Sequence, residues 1–200
     1  MEDKRKYTAT LTSDAFLYYE LKRVLKLKVQ GISDEQIRKK VMEENLFQYK
    51  SKRSLRRLLS SVMRRVKVLD DYLINMVVND PMETGKLVNL YAIMKTSRLF
   101  YEFMNEVVRE KFEYNDMVLE KKDVNLFFRH KAEQSEIVAK WTDNTISKLK
   151  QVILKILTDA GVLESPKTGK LNKIIMPVEL KSHLIEIGDI DYVIAMGEKI

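Results

Sequence analysis

A mostly α-helical fold follows from three features of the sequence. Only six glycines and three prolines interrupt 200 residues. Apolar residues recur at three- and four-residue spacing over long stretches, the period of a helix with one buried face. Ser, Thr and Asp stand just ahead of several of those stretches, where the first turn of a helix needs a side-chain acceptor. The arrangement expected is a helical N-terminal domain over residues 1–115, followed over 116–200 by a helix-turn-helix-like module that ends in a short β-hairpin.

Taken in order, the first helix is expected to start at Ser13 and to run to Gln30, where Gly31 stops it, with Phe16, Leu17, Leu21, Val24, Leu25 and Val29 as its apolar set. Ser33-Asp34-Glu35-Gln36 has the spacing of a capping box and opens a short helix through Val41 and Met42. Ser51 caps a third helix, whose stripe is Leu55, Leu58, Leu59, Val62, Val66 and Leu69. A short helix from Tyr72 to Val78 and a turn at Asn79-Asp80-Pro81 lead into a long helical region, Met82 to Phe112, rich in aromatic and aliphatic residues. Residues 114–121 read as a linker. A helix from Lys122 to Gln134, a turn of helix capped by Ser135, and a long helix capped by Thr142 or Asp143 and closed by Gly161 come next. Val162-Leu163 and Lys173 to Met176 are short β-like runs around a turn at Ser165 to Lys170, so the element order is that of a winged helix-turn-helix.

Charge is unevenly placed. Residues 1–69 hold 18 basic and 8 acidic residues, whereas 70–200 hold 18 and 21, so the net charge of +7 originates in the first third. Within Phe47 to Leu69 there are eight Lys or Arg and no acid. Arg53, Arg57, Ser60, Arg64 and Lys67 fall on one side of the third helix, with Arg56 and Arg65 flanking. Solvated helical faces ordinarily mix Glu with Lys at four-residue spacing, which relieves repulsion. Here like charges one turn apart cost a few tenths of a kcal/mol each without relief, so a polyanion is the natural partner. The candidate contacts are Lys50, Lys52, Arg53, Arg56, Arg57, Arg64, Arg65 and Lys67, together with a Lys4-Arg5-Lys6 arm. A second set, Ser147, Lys148, Lys150, Gln151 and Lys170, lies on the 143–160 helix and its hairpin, where Lys167 and Lys173 add charge.

Other chemistry is scarce. Cysteine is absent, which excludes disulfides, thiolate nucleophiles and cysteine metal sites and points to a reducing cytoplasm. His130 and His183 have no neighbours at metal-ligand spacing, and the glycines build neither a phosphate-cradling loop nor a dinucleotide fingerprint. Acidic pairs such as Glu43-Glu44 and Asp70-Asp71 sit near helix ends, where capping explains them. No run approaches 18 consecutive apolar residues, and the charged N-terminus lacks the apolar stretch of a signal peptide. The expectation is a cytoplasmic protein that is not an enzyme, spans no membrane and uses no cofactor or metal.

Several stretches together resemble a known family: Tyr7 to Thr12, Glu44-Asn45-Leu46-Phe47-Gln48-Tyr49, Phe103 to Lys111, Gln134 to Trp141, and Ala160-Gly161-Val162-Leu163. Their order and spacing are similar to those of the BrxA family, a small component of the BREX bacteriophage-exclusion systems. The resemblance spans roughly residues 7–163. It implies a non-catalytic, mostly helical protein that binds double-stranded DNA and acts beside a methyltransferase, an ATPase and a phosphatase-like protein. Members are also similar to the helical antitermination factor NusB, which binds RNA, so a NusB-like bundle is implied for the N-terminal domain. The family has no catalytic motif to transfer; the contact residues named above rest on charge and helical geometry. An RNA-binding regulator and a protein-interaction scaffold within the defence complex stay open as alternatives.

Overall fold

The structure, a computed structural model, describes residues 5–13 and 15–200. It is mostly helical. After a 3₁₀ turn at Thr10–Ser13 come α1 (Tyr18–Val29), α2 (Asp34–Glu44), α3 (Lys52–Val66), α4 (Asp71–Asn79), α5 (Met82–Thr96) and α6 (Arg98–Phe103). A π-helical turn (Met104–Val108) joins α6 to α7 (Arg109–Glu113), and α8 (Lys121–Gln134), α9 (Glu136–Ala139), α10 (Asp143–Asp159), α11 (Val178–Glu186) and α12 (Ile190–Ala195) complete the chain. Among the described residues no helix is long and apolar enough to cross a membrane.

The chain forms two compact units. One is Phe16–Ala92; the other comprises the described residues up to Ala15 together with Ile93–Ile200. The expected division at 115/116 therefore lies inside the second of these, and the boundary at 92/93 falls within α5.

In the Phe16–Ala92 unit, α1 packs against α2, α3 and α4, and α2 packs against α3. Helix α1 begins at Tyr18, later than the expected Ser13: Leu17 takes a left-handed conformation (φ 52°) that turns the chain, and Ser13 closes the 3₁₀ turn. Its end follows expectation. Gly31 has φ +80°, a conformation that costs glycine no Cβ clash, and Gly31 N and Ile32 N donate to Lys28 O and Leu27 O. The capping box at Ser33 is formed in both directions, and Ser51 accepts from Ser54 N (3.4 Å) at the start of α3. Leu55, Leu58, Leu59, Val62, Met63 and Val66 of α3 are all buried.

Arg65 belongs to that buried face, only 2% exposed. Its Nη1 donates to Phe16 O (2.5 Å) and to Asn89 Oδ1 (3.3 Å), while Asn89 Nδ2 donates to the same Phe16 carbonyl (2.6 Å). The guanidinium thus ties α3 to the entrance of α1 and to α5.

In the second unit the long helical region expected over 82–112 is broken. Ser97 adopts an extended conformation and caps α6 through Phe100 N (3.3 Å), and the π-turn then widens the helix by an inserted residue. This segment encloses a buried charge network. Tyr7 Oη, Arg98 Nε and Lys131 Nζ all donate to the Glu102 carboxylate (2.6, 2.7 and 2.9 Å), and Lys131 also reaches Glu106 (2.6 Å). Burial alone would raise the Glu102 pKa; these three donors outweigh it and hold the carboxyl below its ordinary value. Burial and the bond to Glu102 raise that of Tyr7. Arg5, expected in a basic arm that contacts the polyanion, is docked: its Nη1 donates to carbonyls in the last turn of α5, Met94 O (2.7 Å) and Lys95 O (2.5 Å). Lys4 lies outside the described residues.

Helices α8, α9 and α10 follow in the expected order, with Thr142 accepting from Thr145 N (3.2 Å), although Ser135 makes no side-chain cap. The 3₁₀ turn packs against α10. The expected β-hairpin is absent. Leu163 and Leu171 form one isolated bridge, Val118 and Lys170 another, and Lys173 to Met176 have no regular structure. Gly169 explains this registry: its backbone lies so close to Leu119 O that a Cβ there would sit at 2.5 Å, and it draws the 117–119 segment, expected as a linker, into the pairing intended for Lys173 to Met176. Pro177, lacking an N–H, ends any ladder on the other side. Helices α11 and α12 were not anticipated.

Two stability predictions follow from the buried polar groups. Arg65→Met leaves Asn89 Oδ1 without its arginine donor and the Phe16 carbonyl with Asn89 Nδ2 alone, so the unfolding free energy in urea should drop by about 1–3 kcal/mol, whereas Arg57→Ala should change it by no more than about 0.5 kcal/mol. Lys131→Met removes one of the three donors to the buried Glu102 carboxylate and should cost about 2 kcal/mol at neutral pH. Because the folded-state pKa of Glu102 is depressed, its contribution is present above the unfolded carboxylate pKa and lost as pH falls through the folded one. The deficit of Lys131→Met should therefore narrow on acidification below about pH 4, as measured by urea titrations at several pH values.

Candidate nucleic-acid interface

The sequence places α3 as an amphipathic helix, and its outer face is set by what the inner face buries. With the leucine and valine side inward, Lys52, Arg53, Arg56, Arg57 and Arg64 are exposed, as are Lys50 just before the helix and Lys67 at its C-cap. Arg53 to Lys67 covers about 21 Å of helix axis at 1.5 Å per residue. Lys50 is delivered by a closed loop in which Asn45 Nδ2 donates to Tyr49 O (2.9 Å) and Tyr49 N donates to Asn45 Oδ1 (3.0 Å), with Asn45 and Gln48 at positive φ.

Lys50, Lys52, Arg53, Arg56, Arg57 and Lys67 make no ion pair with a carboxylate among the described residues. Arg64 donates to Ser61 Oγ (3.1 Å), a neutral partner that orients the guanidinium along the helix. Ser60 turns its hydroxyl back to Arg56 O (2.9 Å). Ser51 caps the first turn of α3, but no acidic residue compensates it where Lys52 and Arg53 sit at the positive end of the helix dipole, an arrangement that costs roughly 0.3–1 kcal/mol. Arg65 is the exception to the expected row: it faces the core and holds the helix in place.

Electrostatics on the larger scale agree with the local picture. The Phe16–Ala92 unit contains 16 basic and 9 acidic residues, which is the chain's entire net charge of +7; the remainder is balanced at 20 and 20.

The second expected set is dispersed. Ser147, Lys148 and Gln151 are exposed along α10, and Lys170 is exposed at its bridge. Lys150 is turned aside: its Nζ donates to Asn125 Oδ1 (2.7 Å) and lies 5.5 Å from the centre of the Phe128 ring, fastening α10 to α8. Lys155 pairs with Asp159 (3.0 Å). Among the described residues no three His, Asp or Glu side chains are grouped so as to hold a metal ion.

Comparison with known proteins adds the family. The sequence matches the BrxA family over residues 5–188. A BREX protein BrxA from Bacillus cereus (strain H3081.97) is 39% identical over 200 residues, covering 99% of this chain and all of its own. A BREX protein BrxA from Paramagnetospirillum magneticum (strain ATCC 700264 / AMB-1) is 24% identical over 181 residues, covering 90% and 91%. Among solved structures, an uncharacterized protein from Magnetospirillum magneticum shares the fold, with a TM-score of 0.81 at 22% identity over 96% of this chain and 98% of that one. Matched across nearly its whole length, the chain belongs to the BrxA family.

Proposed function

We propose that the protein is a non-catalytic, double-stranded-DNA-binding component of a BREX-type bacteriophage-defence system, working in the cytoplasm beside other proteins of that system. The observation that supports this most is the run of exposed cations Lys50, Lys52, Arg53, Arg56, Arg57 and Lys67, which make no ion pair with a carboxylate among the described residues. Phosphates are the anions whose spacing suits it: the roughly 21 Å from Arg53 to Lys67 corresponds to about six base pairs at 3.4 Å each. The defence role is drawn from relatives named BREX protein BrxA.

The chemistry of the row favours grip over reading. Arg53, Arg56 and Arg57 are spread along a convex helix surface, so contacts to phosphate dominate and sequence preference is weak. A second contact is assigned to α10, in a helix-turn-helix-like arrangement with α8 and α9, through Ser147, Lys148, Gln151 and Lys170. Lys150 is left out of it, because its ammonium is engaged by Asn125.

Replacing Arg53, Arg56, Arg57 and Arg64 together with alanine should weaken binding on the order of 100-fold at about 0.15 M salt, equally for duplexes of unrelated sequence. Gel-shift titrations with three duplexes measure this, and a thermal melt within a few degrees of the parent shows that the fold is intact. Unchanged affinity of the variant would remove α3 from the interface. Displacement of duplex DNA by a structured RNA at much lower concentration would instead favour an antitermination-like RNA-binding role.

A further inference from the structure

The second unit contains a groove of opposite character. It lies between the π-turn with α7 on one side and α8 on the other, with a volume of about 450 Å³. Phe127 forms its floor, 4% exposed and held edge-on by Phe103 and Phe128 at 5.1 and 5.6 Å between ring centres. Val107, Leu126 and Tyr114 build the walls; Leu126 is 41% exposed and Tyr114 77%.

The rim is acidic. Four carboxylates, Glu106, Glu110, Asp116 and Asp123, line the groove with Lys111 and His130, and Lys111 is already engaged: its Nζ lies 2.6 Å from Asp116 and 2.8 Å from Asp123. Glu106 is held by Lys131 (2.6 Å). Glu110 is exposed and makes no ion pair among the described residues. A nucleic acid is repelled by such a rim.

We propose that this groove docks a basic amphipathic segment of a second protein, an apolar side chain resting on Phe127 between Leu126 and Tyr114 while a flanking lysine or arginine meets Glu110. Charge complementarity selects the partner. The volume is within the range of roughly 300–1,000 Å³ that encloses a few side chains, and an exposed tyrosine beside an apolar floor is the kind of anchor that dominates protein interfaces. The proposal is independent of the α3 assignment: one unit presents cations and the other an acidic groove.

The test is fluorescence anisotropy on the full-length protein with three labelled helical peptides of about 14 residues, long enough for partial helicity. The first has a leucine stripe flanked by lysines, the second replaces its lysines with glutamate, and the third replaces its leucines with serine. The first should bind at least roughly ten-fold more tightly than either of the others. Glu110→Lys and Leu126→Ser, both at exposed positions, should each weaken it at least about five-fold without lowering the melting temperature. Equal binding of the three peptides, undiminished binding by both variants, or no binding of the first would overturn the proposal. So would self-association of the free protein that Glu110→Lys abolishes, which would make the occupant a second copy of this chain.

Discussion

Uncompensated positive charge on a helix that must nevertheless be held against a core is the constraint on which the rest of this structure depends. Each of the like-charged neighbours on α3 costs a few tenths of a kcal/mol, and cations at its N-terminus add a similar penalty. Burying Leu55, Leu58, Leu59, Val62 and Val66 contributes about 1.5–3 kcal/mol each, so packing wins by a wide margin. The repulsion is tolerated because the inner face is strong. Arg65, with its bonds to Phe16 and Asn89, adds directional fixing to that adhesion and determines which residues are left to face outward.

The two units use charge in different ways. In the second, cations are consumed internally: Lys131 between Glu102 and Glu106, Lys111 between Asp116 and Asp123, Lys95 with Asp189, Lys181 with Glu198 (2.9 Å). In Phe16–Ala92, Lys28 pairs with Asp34 and Lys40 with Glu44, both off α3. Lys50, Lys52, Arg53, Arg56, Arg57 and Lys67, by contrast, meet no carboxylate among the described residues, which makes the outer face of α3 the natural place for an external polyanion.

Much of this was legible in the sequence, because it depends on short-range chemistry. The Ser33 capping box, the stops at Gly31 and Gly161, and the stripe of α3 are local patterns, and each is found in place. Features that depend on distant contacts were not legible. Nothing near Leu17 announces its positive φ, and the break at Ser97 and the π-turn serve a network with Tyr7 and Lys131 that sequence spacing does not reveal. The missing hairpin turns on the approach of Gly169 to Leu119, fifty residues earlier in the chain. Within the candidate site, Arg65 could have been placed correctly: it follows Leu58 by seven residues, nearly two full turns, and so shares the side of the buried leucine. Lys150 could not, because its partner Asn125 is brought to it only by the packing of α8 against α10.

The measurement that most directly tests the central claim is the salt dependence of duplex binding by the unaltered protein. If the exposed α3 cations neutralise phosphates, the logarithm of the association constant should fall linearly with the logarithm of salt concentration, with a slope of about −4 to −6, near 0.9 per contact. A slope close to zero, or binding that persists unchanged into high salt, would mean that the row of arginines does not hold a phosphate backbone.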